Sequence, residues 1–152
     1  MAEAPLVEVN EGVNSSGALL VSCFPSVGFV SSIVAHFLVE KLELDLVGGV
    51  RHPNLPPVCL VHDGKPLPPL RFYAGEPICN MEQCDKVVLI ASEIQIPPEL
   101  NLPLSSSLID WLVDSGVSST IMVDSFAHGI ESSHSIFDDD EGMDSMLGIG
   151  ST

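Results

Sequence analysis

The sequence predicts an α/β fold. Short apolar segments at 18–24 (ALLVSCF), 86–92 (KVVLIAS) and 119–125 (STIMVDS) have the length of buried strands, the last two rich in β-branched residues. A stretch with apolar residues at helical spacing follows the first of them. A second helical pattern stands directly ahead of the last. Strand, helix and strand in that alternation are the units of an α/β layer structure. A chain of 152 residues makes one domain, 1–152, able to bury roughly two-thirds of its unfolded surface.

The elements run in order along the chain. Residues 12–39 contain no Asp, Glu, Lys or Arg, long enough for a membrane span, but Pro25, Gly28 and several serines break the run. The acidic start MAEAPLVEVNEG also lacks the basic region of a signal peptide. A strand, a turn and a helix account for these residues. The run 18–24 is the strand, and Pro25-Ser26-Val27-Gly28 the turn, with Ser26 placed to cap the helix after it. Val30, Ile33, Val34, Phe37, Leu38 and Leu42 then form an apolar helix face, opposite Ser32, His36, Glu40 and Glu43.

Residues 46–50 and 57–62 read as further strands, separated by Pro53, Pro56 and Pro57. His62-Asp63-Gly64 is a hairpin turn signal, for which 70–73 serves as the returning strand. Pro66, Pro68 and Pro69 place that arm at a sheet edge, because proline cannot donate to a ladder. The run 86–92 is apolar without alternation, as in a strand covered on both faces. Ser107 with Asp110 three residues on fits a capping box, and Gly116 fits a helix stop, giving a helix of about ten residues. The strand at 119–125 completes a crossover long enough to reach a parallel neighbour.

Charge narrows the function classes. Five Lys+Arg against 21 Asp+Glu give −16, yet charged residues are only 17% and hydrophobic ones 45%. That apolar content excludes a disordered chain. The scarcity of basic residues excludes phosphate-neutralising nucleic-acid binding and attraction to anionic membranes. Glu131, Asp138, Asp139, Asp140, Glu141 and Asp144 put −6 on 131–152, leaving −10 on the rest. The segment 128–145 reads as a solvated acidic loop, and the apolar residues within 146–152 as the start of a further strand.

No P-loop, G-x-G-x-x-G or G-x-S-x-G element is present. Cys23 and Cys59 lie in apolar runs and are expected to be buried thiols; the Cys79–Cys84 spacing is not that of a zinc or redox pair. His128 and His134 with Asp138–Asp140 match no metal-ligand spacing, so no metal or other cofactor is expected. Asp63 and Asp124 stand at strand ends, where open α/β sheets place their sites. A turn residue and a cap are the simpler roles for them. They form no nucleophile–base–orienter set, and no catalytic residue is assigned.

The ordered landmarks GALLVSCFPSVGFVSSIVAHFLVEKL, VCLVHDG, Arg71-Phe72-Tyr73, KVVLIASEIQI, SSLIDWLVDSGV and TIMVDSFA resemble the archaeal-type proteasome assembly chaperone family over residues 17–127. The resemblance implies a three-layer α/β/α sandwich with a mostly parallel or mixed central sheet, like that of nucleoside phosphorylases and related hydrolases. It also implies a cytoplasmic, ATP-independent chaperone that oligomerises and binds proteasome α-subunits or their ring without a reaction. Family members run on for about another half-domain, so the chain is expected to be truncated at its C-terminus or naturally short. Some members dock through a tail ending hydrophobic–Tyr–any residue; Thr152 ends no such motif, and Tyr73 is the single tyrosine. The competing expectation is a nucleoside-phosphorylase-like enzyme or small-ligand binder using Asp63, His62 and Asp124. A third is a fragment whose unpaired sheet edge requires a partner.

Overall fold

A computed structural model of the chain describes residues 4–77 and 86–127. The acidic segment, the residues 146–152, Cys79, Cys84, His128 and His134 lie outside them. In chain order the strands are β1 (Leu6–Val9), β2 (Leu19–Cys23), β3 (Asp45–Arg51), β4 (Leu60–His62), β5 (Lys65–Leu67), β6 (Leu70–Gly75), β7 (Val87–Ser92) and β8 (Ser119–Val123). Helix α1 (Val30–Lys41) follows β2, and α2 (Pro98–Ser115) follows β7. Among the described residues, six strands form one mixed sheet in the order β1-β3-β6-β7-β2-β8, and β4 and β5 pair separately. Strands β7, β2 and β8 are parallel neighbours, whereas β1, β3, β6 and β7 pair antiparallel in succession.

The alternation of side chains across the pleat makes two cores. On one face Leu20, Leu70, Phe72, Val88 and Ile90 pack with Leu104, Leu108, Trp111 and Leu112 of α2. On the other Val21, Cys23, Tyr73, Leu89 and Ala91 pack with Val34, Ala35 and Leu38 of α1. The result is the three-layer α/β/α sandwich. β7 is buried along its whole length, as its unalternating sequence requires.

Four local expectations change. The Asp63-Gly64 turn is tight, with φ of 49° and 73°, so His62 pairs with Lys65 and the returning arm is β5, not 70–73. Pro66 does sit in that arm, in the separate two-stranded ribbon, while β6 is an interior strand between β3 and β7. The second helix begins at Pro98 rather than Ser107. Proline at its first position forgoes an N–H that has no intrahelical partner anyway, and Pro103 is carried inside the helix. Gly116 stops it in the left-handed region, φ 71°.

The third change is the rotation of α1. Ser31 and Ala35 are its buried residues, while Val30, Ile33 and Phe37 face outward, the latter two more than 60% exposed. Two small side chains let the helix approach the sheet closely, and a buried hydroxyl on that face fixes the rotation. Finally, β1 is an addition to the strands expected. Its LVEV alternation fits a half-buried edge strand. Gly48 of β3 admits it: a Cβ there would stand 2.1 Å from the Glu8 carbonyl oxygen, so only glycine allows β1 that close.

Candidate functional site

The connections from β2 and β7 leave the sheet for opposite faces, one to α1 and the other to α2, although the two strands are parallel neighbours. Their carboxyl ends therefore part, and this switch point is where open α/β sheets form a binding crevice. Residues 24–29 after β2 and 93–97 after β7 frame it.

The loop after β2 is tied down by short polar side chains. The Ser31 N–H donates to Ser26 Oγ at 3.0 Å, and the two serine hydroxyls are hydrogen-bonded at 2.8 Å. Ser26 thus caps the start of α1 from five residues upstream. The Ser31 hydroxyl also donates to the Val123 carbonyl at 2.8 Å, and the Ser125 hydroxyl to the Val27 carbonyl at 2.5 Å. These bonds lock the end of β8 to the β2–α1 turn, where Gly28 and Phe29 hold positive φ of 67° and 58°. The sequence singled out Ser26 but not Ser31, which sits on what periodicity alone would place beside polar neighbours.

On the α2 side lies an open groove of about 490 Å³. Leu20, Ile90, Leu104, Leu108 and Met122 supply its apolar floor and walls, and Ser22, Gln95, Asn101, Ser105 and Thr120 its polar groups. The lining carries no ionisable side chain. Such a surface recognises by shape, apolar contact and neutral hydrogen bonds.

On the α1 side lies a buried ionic network that sequence reasoning missed. Arg71 is fully buried, and its two terminal nitrogens donate to the Glu93 carboxylate at 2.8 and 2.5 Å. Its Nε donates to Tyr73 Oη at 2.9 Å, and a terminal nitrogen also to the Pro68 carbonyl at 3.2 Å. His36 Nε2 lies 3.1 Å from Glu93 Oε1, extending the network to the exposed surface of α1. Burial is the largest influence on the guanidinium and opposes its charge. The Glu93 hydrogen bonds and charge, with those of Tyr73, outweigh it and raise the Arg71 pKa above its ordinary value. The guanidinium is thereby engaged on three sides, so the network joins β6, β7 and α1 rather than presenting a reactive group. The signal was an arginine inside the apolar run LRFY, which demands a buried partner.

The sequence-predicted residues are not brought together. His62 and Asp63 occupy the exposed β4–β5 turn, with His62 Nε2 3.5 Å from Asp63 Oδ2. Asp124 follows β8, and its Oδ1 accepts the Ser125 N–H at 2.7 Å. The β4–β5 ribbon connects β3 to β6, and β6 is three strand spacings, about 14 Å, from β8. Asp63 is a turn residue and Asp124 a local cap. Cys23 is buried as expected, and burial pushes its thiol up to about 11; Cys59 is exposed, because 57–59 precede the short β4 instead of belonging to it. Among the described residues no group of His, Cys, Asp or Glu is arranged to hold a metal ion, and no helix is long and apolar enough to cross a membrane.

A mixed three-layer sandwich with a switch-point groove and a paired ionic network beside it defines an α/β/α domain. The chain belongs to the PAC2 family, which it matches over residues 20–147. Its structure is similar to that of PbaA from Pyrococcus furiosus, an archaeal homologue of proteasome-assembly chaperone, at 25% identity and TM-score 0.70, over 86% of this chain and 50% of that one. It shares its fold with a Thermoplasma acidophilum protein of unknown function (23% identity, TM-score 0.63, 79% and 47% covered). The same holds for PbaB, a Pyrococcus furiosus proteasome activator (13%, TM-score 0.65, 83% and 55% covered). The chain spans about half the length of these structures. No curated protein matches it.

Proposed function

We propose that the chain is a proteasome assembly chaperone-like protein of the cytoplasm that binds proteasome α-subunits or their ring without catalysing a reaction, and that it acts as a homo-oligomer. The similarity to PbaA supports the partner class. The observation that carries the non-catalytic reading is the groove at the switch point, lined by apolar and neutral polar groups alone. An α/β enzyme would place an ionisable acid or base there, and the lining serines, Ser22 and Ser105, have no His or carboxylate among the lining residues to activate them.

Mixing the purified chain with cognate α-subunits and measuring co-elution by size exclusion tests the reading. A complex at micromolar concentration is expected, with an association rate that falls as salt screens the −16 charge. Absence of a complex with a folded chain refutes it. The groove's volume also fits an uncharged small ligand, and a thermal-shift screen with nucleosides, phosphate and divalent metals tests that second reading. A nucleoside stabilising the chain, with loss of the effect in Met122→Trp, supports it.

A further inference from the structure

Strand β2 carries a polar residue inside its buried stretch. Ser22 lies on the α2 face, because Val21 and Cys23 on either side of it belong to the core under α1. Its register neighbours are Ile90 of β7 and Met122 of β8, so the serine interrupts an apolar row across three strands. The residue is 7% exposed. Buried hydroxyls elsewhere in the core are bonded: that of Ser31 to the Val123 carbonyl, and that of Ser92 to the Ile94 carbonyl. The Ser22 hydroxyl has no hydrogen-bond partner among the described residues. It is not sealed, since among those residues every side-chain oxygen and nitrogen closed off from solvent has a partner. The little surface it keeps opens into the groove on the α2 side, which it lines. A hydroxyl drawn from water into apolar packing costs free energy unless a new hydrogen bond replaces the lost one.

The surroundings define what satisfies it. Leu20 and Ile90 of the sheet and Leu104 and Leu108 of α2 give the groove its apolar bed, and Gln95 and Asn101 are exposed amides in its lining. An anion there loses its water without meeting a counter-charge, in the field of a chain of −16. An ammonium group loses its water too and finds no carboxylate in the lining. We propose that the groove binds a small neutral amphiphile, an apolar body with a single carboxamide, carbonyl or hydroxyl head. The head bonds the Ser22 hydroxyl, and the body lies against the leucines. A volume of about 490 Å³ suits a ligand of that kind. The proposal rests on the small-ligand reading of the groove and adds to it the class of ligand and the residue that selects it.

The test uses the full chain with carbon-13 in its methionine methyl groups, the Met122 signal being assigned with Met122→Leu. The probes are hexanamide, hexanoate and hexylammonium. Hexanamide should shift the Met122 methyl saturably, and the two charged probes should bind about tenfold or more weakly. Ser22→Ala, with thermal unfolding no lower than the parent's, should weaken hexanamide about fivefold, the loss of one hydrogen bond. A Met122 shift that Ser22→Ala leaves unchanged, or equal binding of hexanoate, overturns the proposal and leaves the small-ligand reading standing. No Met122 shift with hexanamide also overturns the proposal. If no nucleoside stabilises the chain either, the small-ligand reading falls with it.

Discussion

Removing the two halves of the Arg71–Glu93 pair should cost very different amounts. The Arg71 side chain is 1% exposed and that of Glu93 21%. Glu93→Ala removes both carboxylate contacts and leaves a guanidinium buried on the Tyr73 hydroxyl and the Pro68 carbonyl alone. Stranding a buried charge costs about 3–5 kcal/mol. Arg71→Met instead leaves a carboxylate that is partly wetted and still beside His36, and fills much of the vacated volume. Its cost should be about 1–2 kcal/mol, that of lost hydrogen bonds. The double variant should resemble Arg71→Met, giving a coupling of about 3–5 kcal/mol, the whole cost of Glu93→Ala. Urea unfolding provides the assay, followed by far-UV circular dichroism and by the fluorescence of Trp111, whose ring meets Phe72 edge-on at 4.8 Å. Equal costs for the two single variants, or an additive double variant, would refute the claim that burial of the arginine governs the pair.

Three other outcomes are expected from the geometry. Gly48→Ala should release β1, because its Cβ overlaps the Glu8 carbonyl; Glu-specific proteolysis near residues 8–11 should accelerate, and an unchanged rate would contradict the close approach. Ser31→Ala should cost about 1–2 kcal/mol and quicken amide exchange in β8, since its hydroxyl holds the Val123 carbonyl. In a Cys79→Ser/Cys84→Ser background, Cys59 should react with a disulfide reagent in the native state and Cys23 only on unfolding. The Cys23 thiol titrates near 11 folded against 9.0 unfolded, so its contribution is intact below pH 9 and is lost as pH rises from 9 to 11. Relative to Cys23→Ala, the parent should lose about 2–3 kcal/mol more across that window, and parallel pH curves would show that the thiol is not shielded.

The parts of the fold carried by local chemistry are legible in the sequence. Runs 18–24, 86–92 and 119–125 become β2, β7 and β8 within two residues at each end, because a short unalternating apolar run bounded by turn residues has few other uses. The Asp63-Gly64 turn is recognisable for the same reason, but a two-residue turn fixes its partner strand by register, and 70–73 lies too far along to pair. The start of α2 is misplaced because three serines make a persuasive cap signal. Pro97, Pro98 and Pro103 discourage a helix, although Pro98 at the first position is well suited to one. Periodicity marks α1 but gives its rotation wrongly. A helix with apolar residues around much of its circumference is oriented by its tertiary bonds, here that of Ser31 to Val123.

The candidate site is less legible, because it belongs to topology and not to any segment. A switch point exists only once β2 and β7 are known to be neighbours whose helices leave for opposite faces, and strands 19–23 and 87–92 are far apart in sequence. Strand-end reasoning does point to the carboxyl side of the sheet, yet it selects residues for their titratable groups. Asp63, His62 and Asp124 are candidates on that basis, and the turn and the cap absorb them. What borders the crevice is uncharged on one side and, on the other, an ion pair whose partners are 22 residues apart. An arginine in an apolar strand announces that a partner exists without saying which of 21 acidic residues it is. The −16 imbalance makes that choice harder and gives the surface its sense: Arg71 is one of five basic residues, and it is spent inside the sheet. Arg71 and Glu93 neutralise each other there, so the net −16 is carried by 20 acidic residues against four basic ones, which favours a partner that brings the missing cations.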